Sequence, residues 1–293
     1  MCQHLPPLHQ LPSLRNLNLR RMIALEYISD KEITDEVSAS TTFFPSLESL
    51  MLWSCPNLKG WWRRDIVDVA TTTSTSSDQY QQHISLPYFP RLSYLCIVDC
   101  SNLTCMPLFP YLEEPLILHI ASFKPLQQTL AMTMNMSTSS LPSSSSSSPP
   151  LSKLKSLFLY QIQDVESLPE ELMQNLTSVE HLQISKCPHI KSVPRFIQHL
   201  TSLKELDIKD CEELDLFSEE SHDGTQCVST LQNIHISNVP RLVTLPKWIG
   251  NLTSLQELII SKCPHLKERC QEGIGEDWPK IAHIPIFRYY DQD

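Results

Sequence analysis

Along most of the chain, apolar residues recur in one register, L-x-x-L-x-L-x-x-C-x-x-L, with polar or variable residues between them. In the second half the register runs without gaps. It is met at Val179-Leu182-Ile184-Cys187-Ile190-Val193 and Leu203-Leu206-Ile208-Cys211-Leu214-Phe217, then at Leu231-Ile234-Ile236-Val239-Leu242-Leu245 and Leu255-Leu258-Ile260-Cys263-Leu266-Arg269. Leu154-Leu157-Leu159-Ile162-Val165-Leu168 precedes these four. The first half holds the same pattern at irregular intervals. Its copies are Leu14-Leu17-Leu19-Met22-Leu25-Ile28, Leu47-Leu50-Leu52-Cys55-Leu58-Trp61 and Leu92-Leu95-Ile97-Cys100-Leu103-Met106. A degenerate copy, Leu112-Pro115-Ile117-Ile120-Phe123-Leu126, has proline where a strand should begin to pair, and a clipped one opens the chain at Cys2-Leu5-Leu8. The central L-x-L pair alternates with period two, so both residues point inward from a short strand and their neighbours point out. Strands are therefore expected at 17–19, 50–52, 95–97, 157–159, 182–184, 206–208, 234–236 and 258–260.

In the second half the first positions of successive copies lie 24, 28 and 24 residues apart, inside the period of about 20 to 29 that marks leucine-rich repeats. The expected fold is an α/β solenoid: a curved leucine-rich-repeat horseshoe with one short parallel strand per repeat lining its concave face. The convex side should be irregular or carry short helices. There Leu168-Pro169-Glu170-Glu171-Leu172, Val193-Pro194-Arg195-Phe196-Ile197 and Leu245-Pro246-Lys247-Trp248-Ile249 share an L-P-x-x-I/L return, and proline suits a first helical turn. Cys55, Cys100, Cys187, Cys211 and Cys263 fall where the chain leaves the strand, a place for a small residue able to meet backbone groups. They are expected to form a buried structural ladder. The rival readings are disulfides or a metal site, but no CxxC pair supports zinc.

Four segments follow from the spacing. Residues 1–136 are irregular repeats with polar insertions at 29–43 and 63–85, and 137–150 is a Ser/Pro-rich insertion with the composition of a disordered loop. Residues 151–269 are regular repeats, and 270–293 form a C-terminal cap, because an uncovered solenoid end exposes a strand edge and an apolar flank. In that cap Trp278, Ile281, Ile284 and Ile286 should supply apolar contacts, with Glu272, Glu276, Asp277 and Lys280 facing water.

Composition narrows the function. Five glycines against 22 prolines argue against glycine-rich phosphate loops. A net charge of −10, with the acidic excess larger in the second half, repels a phosphate backbone and disfavours nucleic acid as a partner. No apolar run approaches the roughly 18 to 20 residues of a membrane span, and the opening Met1-Cys2-Gln3-His4-Leu5 lacks the basic and apolar regions of a secretory signal. The eleven histidines stand in no H-E-x-x-H arrangement, and neither G-x-S-x-G nor a paired-carboxylate motif occurs. No catalytic, cofactor-binding or metal-binding residues are assigned, and the chain is expected to bind rather than catalyse. The sequons at Asn102, Asn135, Asn175 and Asn251 are read as repeat phrasing rather than glycosylation sites.

Binding candidates come from outward strand positions. Trp53 and Tyr160 follow the second strand leucine and Phe158 sits between the leucines; exposed aromatics there are candidate anchors. His181, His235, Asp207 and Lys209 also point outward, and Lys204, Arg15, Arg20 and Arg21 complete the candidate recognition surface, although a charged solvated face is the default for any solenoid.

With these residues in hand, the chain resembles the C-terminal repeat region of plant intracellular nucleotide-binding, leucine-rich-repeat disease resistance proteins of the coiled-coil class. The resemblance rests on the opening Cys2-Gln3-His4-Leu5-Pro6-Pro7-Leu8 with Leu11-Pro12-Ser13-Leu14, on the recurring L-P-x-x-I-x-x-L-T-S-L and C-x-x-L phrases, and most of all on the ending. That ending reads Cys270-Gln271-Glu272-Gly273-Ile274-Gly275-Glu276-Asp277-Trp278-Pro279-Lys280-Ile281-Ala282-His283-Ile284-Pro285. The resemblance implies a cytoplasmic protein-recognition and autoinhibitory region that takes a pathogen effector or guarded host protein, and that contacts a nucleotide-binding domain of the same receptor. The family's ADP/ATP site would lie in that domain, since no G-x-x-x-x-G-K-[ST] occurs here. Two other classes remain: the substrate-binding repeats of an F-box-type ubiquitin ligase, and an extracellular receptor ectodomain.

Overall fold

The structure, a computed structural model, describes residues 5–29, 43–62, 89–104, 106, 112–113, 115–119, 122–127, 151–168, 173–191, 200–215 and 230–291. The interiors of the insertions at 29–43 and 63–85, the whole stretch 137–150 and the returns at Pro169 and Pro194 lie outside the described residues.

Every L-x-L pair expected to form a strand does so. Ten strands make one parallel sheet in the order β1-β3-β5-β6-β7-β8-β9-β10-β11-β12. They are β1 Asn16–Arg20, β3 Ser49–Trp53, β5 Tyr94–Val98, β6 Leu116–His119, β7 Ser156–Tyr160, β8 His181–Ser185, β9 Glu205–Lys209, β10 Asn233–Ser237, β11 Glu257–Ser261 and β12 Ile286–Tyr290. Pairing stays in register: Leu50 opposes Leu17 and Leu95, and Leu206 opposes Leu182 and Ile234. The inward leucines and isoleucines thus stack into continuous rows that are buried from Leu17 to Ile260. Each such side chain contributes about 1.5–3 kcal/mol by leaving water, and that gain is available only because the neighbouring repeat supplies the other wall.

The degenerate copy is corrected by one residue. Leu116 and Leu118 face inward opposite Leu157 and Leu159, not Pro115 and Ile117. A one-residue slip exchanges the two faces of a strand, and Leu116-Ile117-Leu118 satisfies an apolar pattern in either register. Pro115, with no N–H to give, stands before the strand. The boundaries of the first insertion, 29–43, also contract. Ser29 is buried in β2 (Tyr27–Ser29), which pairs in parallel with β4 (Gly60–Trp62) in a small second sheet. Phe43 is buried and packs edge-on against Phe44 and Phe89, with ring centroids 4.8 and 5.3 Å apart; Trp61 closes the cluster at 5.5 Å from Phe89.

How each strand ends was not legible in the sequence. Arg21, Ser54, Asp99, Gln161, Lys186, Asp210, Asn238 and Lys262 each follow a strand, and each has φ between 50 and 54°. A left-handed conformation costs a non-glycine residue roughly 1–2 kcal/mol. Here it is offset, because each amide donates to the last strand carbonyl of the next repeat, as from Arg21 to Trp53 at 2.8 Å and from Asn238 to Ser261 at 2.9 Å. The ladder cysteines follow immediately. All five are buried, and each thiol donates to the carbonyl two residues back, at 3.3 Å for Cys211 and 3.5 Å for Cys187.

The ending packs beside the last repeat as two short helices and one further strand. Helix α1 (Pro264–Arg269) and helix α2 (Trp278–Ile281) lead into β12, which adds a tenth strand in register on β11. Ile281 and Ile284 are buried and Trp278 packs on the core, but Ile286 is exposed on the outward face. Asp277 does not face water, and Lys280 does so only in part. Asp277 is 1% exposed and accepts from Arg269 Nε at 2.9 Å, Lys280 Nζ at 2.6 Å and the Leu245 amide at 3.0 Å. Lys280 Nζ also donates to the Leu245 carbonyl at 2.5 Å. Burial pushes the Asp277 carboxyl up, but the bonds from Arg269, Lys280 and the Leu245 amide outweigh it and hold the group below its ordinary value.

The turn that delivers Asp277 requires Gly275. A Cβ there would lie 2.2 Å from the Arg269 carbonyl oxygen and 2.5 Å from its carbon, both rigid backbone. Gly273 has φ +72° but open space around it. Gly275→Ala is therefore expected to lower the melting temperature by several degrees, and Gly273→Ala by clearly less, since its cost is only the roughly 1–2 kcal/mol of the left-handed region. Thermal melts showing the reverse order would contradict this turn.

Candidate protein-recognition face

Because the pairing is in register, outward side chains also line up across repeats. The central row runs Asn18, Met51, Cys96, Ile117, Phe158 and continues through Gln183, Asp207, His235, Ile259 and Arg288. The row nearest the strand exits runs Arg20, Trp53, Val98, His119, Tyr160, then Ser185, Lys209, Ser237, Ser261 and Tyr290. The sequence-derived candidates fall on these rows unevenly.

From β3 to β7 the two rows are mainly apolar and aromatic, whereas β1 contributes Asn18 and Arg20. Trp53 is 45% exposed, with the Arg20 guanidinium 5.6 Å from its ring centroid. Tyr160 meets the His119 ring edge-on at 4.3 Å and carries Lys186 Nζ at 5.2 Å over its own ring. Phe158 is half-buried beside Ile117. Cys96 and Val98 point outward yet are buried. Arg20, Arg21 and Trp53 line a shallow depression of about 470 Å³ at the β1 end of the face.

From β8 to β12 the same rows are mostly polar, and with the row at the strand starts, which holds His181, Glu205 and Glu257, they carry ionisable groups that pair with one another. His181 Nδ1 lies 2.9 Å from Glu205, Lys209 Nζ lies 2.8 Å from Asp207, and Glu257 is flanked by His235 at 3.8 Å and Arg288 at 3.7 Å. Exposed pairs of this kind contribute about 0–1 kcal/mol each; their main effect is to leave this half of the face with little uncompensated charge. Arg15 and Lys204 do not belong to the face. Each precedes its strand, on the rim where strands begin, and pairs there with the equivalent residue of a neighbouring repeat: Arg15 with Glu48 at 3.6 Å and Lys204 with Glu180 at 2.6 Å.

Comparison with known proteins bears on what such a face serves. No family model matches the chain. It is 31% identical over 285 residues to the disease resistance protein RGA4 of Solanum bulbocastanum, an alignment covering 97% of this chain and 24% of that protein. Against disease resistance protein RGA2 of the same species it is 30% identical over 291 residues, 99% of this chain and 23% of the relative. The chain is a leucine-rich-repeat relative of plant disease resistance proteins. It spans about a quarter of the length of those relatives. Among solved structures, an internalin of Listeria monocytogenes aligns at 14% identity with a TM-score of 0.34, covering 96% of this chain and 83% of that one.

In this resistance-protein relative, several residues of the face escaped the sequence reading. Met51 and Cys96 could have been found by taking every residue between the paired leucines, whereas Ile117 was hidden by the slipped register. His119 and Lys186 carry no signal until the strand exits are placed. Four of the ladder cysteines, Cys100, Cys187, Cys211 and Cys263, are by contrast unsuited to chemistry, whereas the hydrogen bond with Cys100 lowers the Cys55 thiol. Burial raises the thiols of Cys187 and Cys263 and pushes that of Cys211 up to about 12. A hydrogen bond with Cys55, together with burial, raises Cys100. Thiols held protonated in this way are poor nucleophiles and poor metal ligands. Among the described residues, no helix is long and apolar enough to cross a membrane.

Proposed function

We propose that this chain is the ligand-sensing and autoinhibitory repeat region of an intracellular plant immune receptor of the coiled-coil, nucleotide-binding class, and that it works by binding protein rather than by catalysis. The face engages a pathogen effector or a guarded host protein, and in the resting receptor the repeats hold the nucleotide-binding domain closed. One observation carries the reading. Across β3 to β7 the outward rows place Met51, Ile117 and Phe158 beside Trp53, His119 and Tyr160. Aromatic and apolar side chains clustered in this way, with polar groups around them, are what protein interfaces use as anchors. The ADP/ATP switch belongs to a separate domain of such a receptor and to no residue of this chain, and the setting is cytoplasmic.

Mapping the transcript that encodes the chain tests the assignment. The expected result is an open reading frame continuous with an upstream G-x-x-x-x-G-K-[ST] loop and its nucleotide-binding domain. An upstream F-box would place the repeats in a ubiquitin ligase instead, and a signal peptide would place them in an ectodomain.

A further inference from the structure

Charge on the outward face is distributed unequally, and a pair of arginines at β1 stands apart. In the β8 to β12 half, His181, Lys209 and Arg288 each have a carboxylate within 4 Å. Arg20 and Arg21 have none among the described residues. Arg20 spends its Nε on the Asn18 side-chain oxygen at 3.1 Å and lays its guanidinium against Trp53. Both contacts fix the orientation of the group without neutralising it. Its terminal amino groups remain as a pair of parallel donors, the fork that a carboxylate accepts with both oxygens. The Arg21 backbone is held beside it by the left-handed strand exit, φ 53°, and by the hydrogen bond its N–H donates to the Trp53 carbonyl. Two exposed cations, Arg20 oriented against the ring and Arg21 next to it in the chain, therefore border one exposed indole at a depression of about 470 Å³.

We infer that this corner of the face is a docking site for an acidic peptide segment of a partner protein, one carrying a carboxylate next to an aromatic or aliphatic side chain. The carboxylate takes the Arg20–Arg21 pair, and the apolar side chain lies on Trp53 and continues toward Met51. The inference rests on the reading of the outward face as a recognition surface and names the chemistry that surface selects. A chain of net charge −10 resists a polyanion, which brings many phosphates into the repulsive field, far more than a short segment bearing one or two carboxylates. The apolar row beside the arginines also suits side chains rather than a sugar–phosphate backbone. Nucleic acid is thereby the disfavoured occupant.

The test pans a library of displayed random dodecapeptides against the intact chain and against an R20Q/R21Q double variant. Both side chains are exposed, so the variant should melt with the parent. The expected winners carry Asp or Glu beside an aromatic or aliphatic residue. A synthetic winner should lose affinity about tenfold or more against R20Q/R21Q and against Trp53→Ala, and its Gln/Asn counterpart should bind the parent equally weakly. Oligothymidylate should not compete. Winners without an acidic excess, undiminished binding to R20Q/R21Q, or tighter binding of oligothymidylate through the same arginines would each overturn the inference. Non-acidic winners that lose affinity with Phe158→Ala would do so while leaving the recognition face standing. Failure to enrich any peptide on the sheet would count against both.

Discussion

Replacing Asp277 with alanine is expected to lower the free energy of unfolding by about 3 kcal/mol, the lower end of the range for breaking a buried ion pair. The lower end applies because Arg269 and Lys280 keep 30% and 26% of their side-chain surface exposed and regain some hydration. Alanine leaves both cations facing a vacated site, and it strips the Leu245 amide of its acceptor. Asp277→Asn keeps the size and one acceptor oxygen, so its loss should be smaller. Urea unfolding of the three proteins measures the difference. The pH dependence supplies a second readout. The Asp277 carboxyl is held below its ordinary value in the folded chain, so its contribution is fully present above the unfolded value of about 3.9. It drains away as pH falls through the lower, folded value. The gap between the parent and Asp277→Asn should therefore be constant above about pH 5 and shrink below about pH 4. A gap that persists unchanged in acid would show that the charge is not what the site uses.

Truncation after Arg269 should be more damaging still. It removes Asp277 and its ion pairs, α2 with buried Ile281, and β12 with its full parallel ladder on β11. The Tyr289 hydroxyl, which donates to the Cys263 carbonyl at 3.0 Å, and the His283 ring, 3.2 Å from the Leu252 carbonyl, go with them. The truncated chain would present a bare edge at β11 and an apolar flank at Leu245 and Leu252, a combination that favours edge-to-edge association. The expected result is a protein that aggregates during purification or melts several degrees lower with no partner present. A truncated chain that stays soluble and unfolds at the parent temperature would reassign the ending as a docking motif for another domain.

The fold was legible because its cause repeats. Leu157-Leu159, Leu182-Ile184 and Leu206-Ile208 each declare a strand with two inward residues, and the period then dictates which strands are neighbours. Legibility failed where a segment met its condition in more than one way. Leu116-Ile117-Leu118 is apolar in both registers, and only the stacking of β6 between β5 and β7 decides between them. The left-handed exits are unsigned for another reason: Arg21, Gln161, Lys186 and Lys262 are not residues that seek positive φ, and the conformation is imposed by the hydrogen bond across repeats. Asp277 read as a solvent-facing acid because its partners come from elsewhere, Arg269 from α1 and the Leu245 amide from the preceding repeat. Of the candidate face, the aromatic positions Trp53, Phe158 and Tyr160 were recognisable from strand alternation alone. The pairing of Lys204 with Glu180, which removes Lys204 from the face, was not, since it depends on which rim positions of adjacent repeats meet.

The central claim is that protein recognition belongs to the outward face over β3 to β7. Site-specific photocrosslinking tests it most directly. A benzophenone amino acid is placed in the intact chain at Phe158, at Tyr160, at Ile259 on the same face near its other end, and at Glu268 on α1. Each variant is expressed in leaf tissue, with and without pathogen challenge, and irradiated. The expected result is discrete protein adducts at Phe158 and Tyr160 that are absent or much weaker at Ile259 and Glu268. Adducts of equal yield at all four positions, or adducts confined to Ile259 or Glu268, would contradict the claim.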